Sequence, residues 1–149
     1  MQMAALDLGQ FIPYLLYRVS RRLNAHLRDE MRRESVTIHR WRILAVLSAH
    51  DGCSLSELAA YTVKEQSVIS RVADQMAKDG LVRRVADPLD GRVVRLYLAD
   101  KGKRLFARIF PVAQVHHERA TGALTGAEQK TLVRLLHKML EGIGEKDFR

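Results

Sequence analysis

The stretch that decides the fold runs from residue 54 to residue 98, SLSELAAYTVKEQSVISRVADQMAKDGLVRRVADPLDGRVVRLYL. Ser54 followed three residues later by Glu57 is a capping-box pattern, and it opens a short helix carrying Leu55, Leu58 and Ala59. Tyr61 to Glu65 reads as a turn. A second helix follows over Gln66 to Lys78 and stops at the turn signal Asp79-Gly80. The apolar period then changes from helical to alternating. Leu81–Val85 reads as one strand and Val93–Leu98 as another, with Val94, Leu96 and Leu98 on one face. The turn formers Asp87-Pro88-Leu89-Asp90-Gly91-Arg92 join them as a hairpin with a basic tip.

Short helix, turn, helix, hairpin is the order of a winged helix-turn-helix. Its second helix is amphipathic: Val68, Ile69, Val72, Ala73 and Met76 point one way, and Ser67, Ser70, Arg71, Asp74, Gln75 and Lys78 the other. Hydroxyls, an amide and an arginine are groups that read base edges and bind phosphates. The reading therefore places Gln66, Ser67, Ser70 and Arg71 on DNA, with Ser54 and Ser56 at the start of the short helix. At the hairpin, Arg92 is the residue for a backbone or a minor groove, flanked by Arg83, Arg84 and Arg95. Asp90, two residues away, is placed to pair with Arg92 and fix its direction.

Outward from this core, Phe11, Ile12, Leu15, Leu16, Val19, Leu23 and Leu27 recur at helical intervals, predicting a helix over about Phe11–Arg33 with Pro13 in its first turn. Thr37 caps a second helix whose buried face is Ile38, Trp41, Leu44, Ala45 and Leu47. After the hairpin, Asp100 is expected to cap a long helix to about Leu124, kinked at Pro111. Thr125 and Glu128 form a further capping box before a last helix with a wide apolar stripe, Leu132, Val133, Leu135, Leu136, Met139, Leu140 and Ile143.

Composition agrees. The chain has 149 residues, suited to one domain, and no linker or repeat divides it. With 25 Lys and Arg against 17 Asp and Glu it carries +8, which favours a polyanionic partner. The excess lies in the first two thirds, not in a tail. No apolar run is long enough for a membrane span, and the start MQMAALDLGQF lacks a secretory pattern. The single Cys53 excludes an internal disulfide and a multi-cysteine zinc site, and a reducing cytoplasm fits. No phosphate loop, H-E-x-x-H or nucleophile constellation is found, so no enzyme and no cofactor are expected. His116-His117 are neighbours about 100° apart on a helix, a poor metal pair, and are read as surface or interface histidines.

Four stretches resemble the MarR (multiple antibiotic resistance regulator) family: Val36–Leu44, Leu55–Ala59, Ser67–Arg71 leading to Lys78–Arg84, and Asp87–Arg92 leading to Leu98–Gly102. The likeness spans about Leu15 to Ile143. It implies a mainly α fold with a β-hairpin wing, and a homodimer whose two second helices enter major grooves of a pseudo-palindromic double-stranded DNA operator. Residues 36–100 would form the DNA-binding lobe, and residues 11–33 and 101–146 the dimerisation helices. The apolar excess at both ends of the chain independently suggests association. The resemblance also implies a small-molecule effector between dimer helices and lobe, near His39 and Trp41, with Tyr14, Arg18, Arg22 and His26 lining the cleft for an aromatic or phenolic acid. Trp41 is also read as a core anchor, and Cys53 as an unreactive thiol. The expected activity is a transcriptional regulator, more specifically a repressor released by its ligand. The competing reading, prompted by the acids Glu65 and Asp74, is a winged-helix protein-interaction module that does not bind DNA. Three departures from the family pattern stand out. Ala99 replaces the usual threonine, leaving Asp100 to cap; Gly91 sits at the wing tip, where it is expected to loosen the tip or permit a tighter turn; and Glu65 opens the second helix beside Gln66, where an acid repels phosphate.

Overall fold

A computed structural model of the protein describes residues 6–145; Lys146, the last residue assigned to dimerisation, and the first five residues of the start lie outside them. Helix α1 spans Ile12–Arg33 after an extended Phe11, with Pro13 in the first turn, where its missing N–H costs nothing. Arg32 and Arg33 close it at the negative end of the helix dipole. Its one fully enclosed residue is Met31. The chain turns at Ser35 (φ 57°) and enters α2, Ile38–Ala49, where the Thr37 side chain accepts the Arg40 N–H at 3.3 Å.

Helix α2 is the hub. Neighbours on several sides bury Ile43 and Val46 as well as Trp41, Leu44 and Leu47. The enclosed surface is therefore wider than the single stripe the sequence suggests, while Ile38 and Ala45 are only partly buried. After it come β1 (Cys53–Ser54), α3 (Leu55–Thr62), α4 (Gln66–Lys78), β2 (Val82–Ala86) and β3 (Val94–Leu98). The fold is mostly helical with one small antiparallel sheet in the order β1-β3-β2. Both hairpin strands start one residue later than expected. The register sets Val82 opposite Leu98 and Ala86 opposite Val94. Strand β1 was not anticipated: two residues suffice because Cys53 pairs with Leu96 and Ser54 with Arg95. Met31, Ile43, Leu44, Leu47, Leu58, Ile69, Met76, Leu96 and Ile109 are fully buried and join both halves of the sequence in one core. Each such side chain contributes about 1.5–3 kcal/mol of hydrophobic stabilisation.

Helix α5 spans Asp100–Thr121 and continues through Pro111 as one helix. It ends three residues earlier than expected. Asp100 does not cap it; the cap position is Ala99, with no side-chain bond, and Asp100 is the first helical residue, exposed and favourable to the dipole. The missing cap is offset by backbone: Ala99 N–H donates to Leu81 O at 3.0 Å. Further along, Phe106 stacks on Trp41 with centroids 5.8 Å apart and rings 2° from parallel, so Trp41 is a core anchor. Helix α6, Gly126–Gly142, opens with the expected Thr125–Glu128 capping box and buries none of its residues.

Gly102 marks the tightest approach, because a Cβ there would collide with the Leu81 carbonyl that receives the Ala99 N–H. Gly102→Ala is expected to cost about 2–3 kcal/mol in urea denaturation. Gly126→Ala, with nothing within 4 Å of the new methyl, stays within about 0.5 kcal/mol of the parent.

Candidate nucleic-acid interface and effector cavity

The site is built on α3 and α4. Ser54 Oγ accepts the Glu57 N–H at 3.1 Å, and a Glu57 carboxylate oxygen accepts the Ser54 N–H at 2.8 Å. The backbone bond from Ser54 is the main reason the Glu57 carboxyl is held below its usual pKa. The two serines read as DNA contacts differ in exposure: Ser54 is buried with its hydroxyl accepting the cap bond, whereas Ser56 is exposed beside it. Helix α3 runs on to Thr62, whose hydroxyl donates to Leu58 O at 2.7 Å. The turn is thus shorter than read, Val63–Glu65. Val63 takes a left-handed conformation (φ 52°), uncommon for a β-branched residue, and stands almost fully exposed.

Helix α4 has the expected bounds. Ile69, Ala73 and Met76 are buried, and Val68 and Val72 half-buried. Gln66, Ser67, Arg71, Asp74, Gln75 and Lys78 are exposed and Ser70 is half-buried. No side chain caps the helix start, because Glu65 at the cap position makes no such bond. Asp74 forms an ion pair with Arg84 of β2. This removes much of the acid's repulsion toward phosphate, and it also makes Arg84 a tie between helix and hairpin rather than an unengaged cation. The far end of α4 is held at Asp79, whose carboxylate is bonded by Arg40 from α2 and by Gln75, and whose carbonyl accepts Lys101 Nζ at 2.8 Å. The Arg40 bond is the first cause of the lowered Asp79 pKa.

The hairpin tip is organised by two aspartates. Asp87 Oδ1 accepts the N–H groups of Leu89 (2.8 Å) and Asp90 (3.2 Å), while its other oxygen is bonded by Arg95. Asp90 holds Arg92 as a fork, Nε at 3.1 Å and one Nη at 3.2 Å, and also accepts the Arg92 N–H. The Arg92 side chain is 92% exposed. Arg95 differs from its reading as part of a basic tip. It turns inward to Asp87, to the Gly52 carbonyl at 3.0 Å and to Glu57 at 3.8 Å. Gly91 has no positive φ, so a tighter turn is not what it supplies.

The six effector residues are not brought together. Tyr14, Arg18 and Arg22 line a hollow formed by α1 alone, the outer face of one helix. His39 lines a separate cavity with Arg28 and Arg32. His26 lies near His116 of α5, which sits 3.9 Å from Glu30. Trp41 borders a cavity of about 610 Å³ between α1, α2 and the α3–α4 turn, whose lining includes Asn24, Arg28, Arg42, Tyr61 and Lys64 and no acidic residue. The reading missed these residues because the crossing of α1 over α2 assembles them. Arg42 donates to Asn24 Oδ1 at 2.9 Å, and burial and then Arg28 lower its pKa. His39 is lowered by burial first, then by Lys64, Arg42 and Arg28. Like charges converge here without a counter-charge.

Cys53 is buried, donates to His50 O at 2.9 Å, and its thiol is pushed up to about 11 by burial, so thiolate is scarce at neutral pH. Among the described residues no group of three or more metal-ligating side chains converges, and no helix is long and apolar enough to cross a membrane.

A helix pair with an exposed polar second helix, braced by an antiparallel hairpin, defines a winged helix-turn-helix DNA-binding fold. The sequence pattern described as the MarR family matches residues 35–93. A MarR-family transcriptional regulator from Silicibacter pomeroyi is 35% identical, with 99% of this chain and 100% of that one aligned and a TM-score of 0.88. The HTH-type transcriptional repressor IacR of Pseudomonas putida is 27% identical over 130 residues, 87% of this chain and 78% of the relative. BpsR of Bordetella bronchiseptica, whose DNA binding is regulated by 6-hydroxynicotinic acid, is 26% identical over 86% of this chain and 97% of that one, with a TM-score of 0.75. The chain belongs to the MarR family of transcriptional regulators.

The wing-tip carboxyls set a pH window. Arg95 first, and then the Leu89 N–H, lower the Asp87 pKa; Arg92 lowers that of Asp90. Groups depressed on folding stabilise fully above their unfolded pKa and lose that contribution as pH falls through the folded one. Carboxyl carbon shifts followed by NMR should therefore titrate below the ordinary aspartate range for both residues. The Leu89 and Arg92 amide resonances should hold constant down to that range and move only beneath it.

Proposed function

We propose that the protein is a homodimeric repressor that binds a pseudo-palindromic DNA duplex and is released by a small aromatic acid. The observation that carries this reading is the joint presentation of α4 and the wing. The exposed face Gln66–Lys78 is tied through Asp74 and Arg84 to the hairpin that holds Arg92 in solvent. Gln66, Ser67, Ser70 and Arg71 then meet base edges in the major groove, Ser56 meets the backbone, and Arg92, aimed by Asp90, enters the adjacent minor groove. The Asp90 fork uses Nε and one Nη, which leaves the second Nη for DNA.

Residues 36–100 act as the DNA-binding lobe. Residues 11–33 and 101–146 act as the dimerisation helices, since Leu132, Leu135, Leu136, Met139 and Leu140 of α6 and Phe11, Ile12, Leu15 and Leu16 near the start of α1 are exposed in the single chain. Two-fold symmetry sets the half-sites about 34–36 Å apart. Repression follows the character of the relative IacR. The effector is an aromatic carboxylate or phenolic acid, of the kind that regulates BpsR, held in the cavity beside Trp41 by Arg28, Arg42 and Lys64. It acts by binding one spacing of the two α4 helices better than the other.

The test is an anisotropy titration on a duplex selected from a random pool. Two chains should bind per duplex. Arg92→Ala should weaken binding and reduce the slope of log affinity against log salt by about one phosphate contact, roughly 0.9; unchanged affinity and slope would remove the wing from the interface. In the same assay, a hydroxylated aromatic acid should displace the duplex. Arg42→Ala should raise the concentration needed by about tenfold or more, the worth of a charged hydrogen bond, while leaving duplex affinity unchanged.

A further inference from the structure

No large apolar side chain among the described residues is more exposed than Leu89, at 96%. It stands on a braced segment. The Leu89 N–H and the Asp90 N–H both donate to Asp87, Asp87 is bonded by the half-buried Arg95, and the Val93 N–H closes the tip on Asp90 O at 2.9 Å. Three residues on, Arg92 is nearly as exposed. The tip therefore presents one isobutyl group and one guanidinium on a backbone that is already ordered. Of its other side chains, the one that carries an acceptor toward solvent is Asp90, and both of its oxygens are turned to Arg92. Pro88 and Gly91 carry no such atom.

We propose that Leu89 is a specificity-determining residue: beside Arg92 at the floor of the minor groove, its side chain disfavours guanine and selects A·T base pairs beneath the wing. The inference rests on the wing reading above and deepens it. In the minor groove A·T and T·A show only acceptors, whereas G·C adds the guanine N2 amino donor. An isobutyl group over that amino group displaces its water and offers no acceptor in return, leaving a donor unpaired. Over an A·T pair the same group meets adenine C2–H and a floor that lacks a donor. Arg92 contributes a preference for narrow, strongly negative grooves. Leu89 adds a chemical exclusion that Arg92, being a donor only, also leaves unrelieved.

The experiment uses the selected duplex in three versions that differ at the base pairs the wing protects from hydroxyl radicals: A·T, G·C and inosine·C. Inosine·C keeps the major-groove face of G·C but lacks the minor-groove amino group. The full-length parent, Leu89→Asn and Arg92→Ala are titrated against each. The parent should bind A·T and inosine·C alike and G·C about tenfold more weakly, the ordinary size of a single-position penalty. Asparagine supplies an acceptor for the amino group, so Leu89→Asn should lose most of the G·C penalty and keep only the groove-width preference that Arg92 contributes. At so exposed a position the thermal midpoint should not move, which separates this effect from unfolding. A parent without the preference, a parent that groups inosine·C with G·C, or a Leu89→Asn protein that retains the parent's preference undiminished would each overturn the assignment. The Arg92→Ala arm tests the wing itself. If that substitution weakens every duplex while Leu89→Asn changes nothing, the wing reading stands and the role of Leu89 falls; if Arg92→Ala has no effect, both fall.

Discussion

The guanidinium of Arg95 joins three structural segments of the protein. From β3 it reaches the carbonyl of Gly52 ahead of β1, the carboxylate of Glu57 in the first turn of α3, and Asp87 at the start of the wing. It adds a polar tie to the β1–β3 pairing, the Asp74–Arg84 ion pair and the shared core that already join the sheet edge, the helix-turn-helix and the hairpin. With it, the wing tip inherits the orientation of α3, and through the α3–α4 packing that of the exposed α4 face. The pair with Asp87 is partly desolvated, the Asp87 side chain being only 10% exposed, so it is not the weak interaction expected of two fully solvated ions.

The same reasoning sorts the basic residues. A charge of +8 suggests a uniformly cationic surface. Several arginines are instead engaged by carboxylates of the fold: Arg40 by Asp79, Arg84 by Asp74, Arg95 by Asp87. Each anchors one end of α4 or one side of the wing. The cations with outward reach at this surface are Lys64, Arg71, Lys78, Arg83 and Arg92, all exposed, and Arg92 is the one whose direction a carboxylate fixes. Architecture and electrostatics thus come from residues of one chemical type with two distinct duties.

What the sequence disclosed follows the range of the interactions involved. Capping boxes, the bounds of α4 and the Asp90–Arg92 fork are set within three or four residues, and each was legible. Strand β1 was not, because two residues carry no alternation and Cys53–Ser54 becomes a strand only by pairing with Leu96 and Arg95 more than forty positions away. The cap of α5 failed for a related reason: the group satisfied at Ala99 is backbone, and its partner is Leu81 across the fold. The difference in exposure between Ser54 and Ser56 was not legible, because burial is invisible in a local pattern. Of the six residues read as an effector cleft, Trp41 alone borders the cavity that the crossing of α1 and α2 forms, where it meets Asn24, Arg28, Arg42 and Lys64.

Helix α6 is 17 residues long, well capped, and draws no enclosure from its own chain. An isolated helix of that length is marginal in water. In the proposed dimer its order would come from the second subunit, so folding of α6 and assembly become one mass-action equilibrium. Dilution would then melt that segment before the winged lobe, and the cellular abundance of the protein would itself set how much operator-competent species exists.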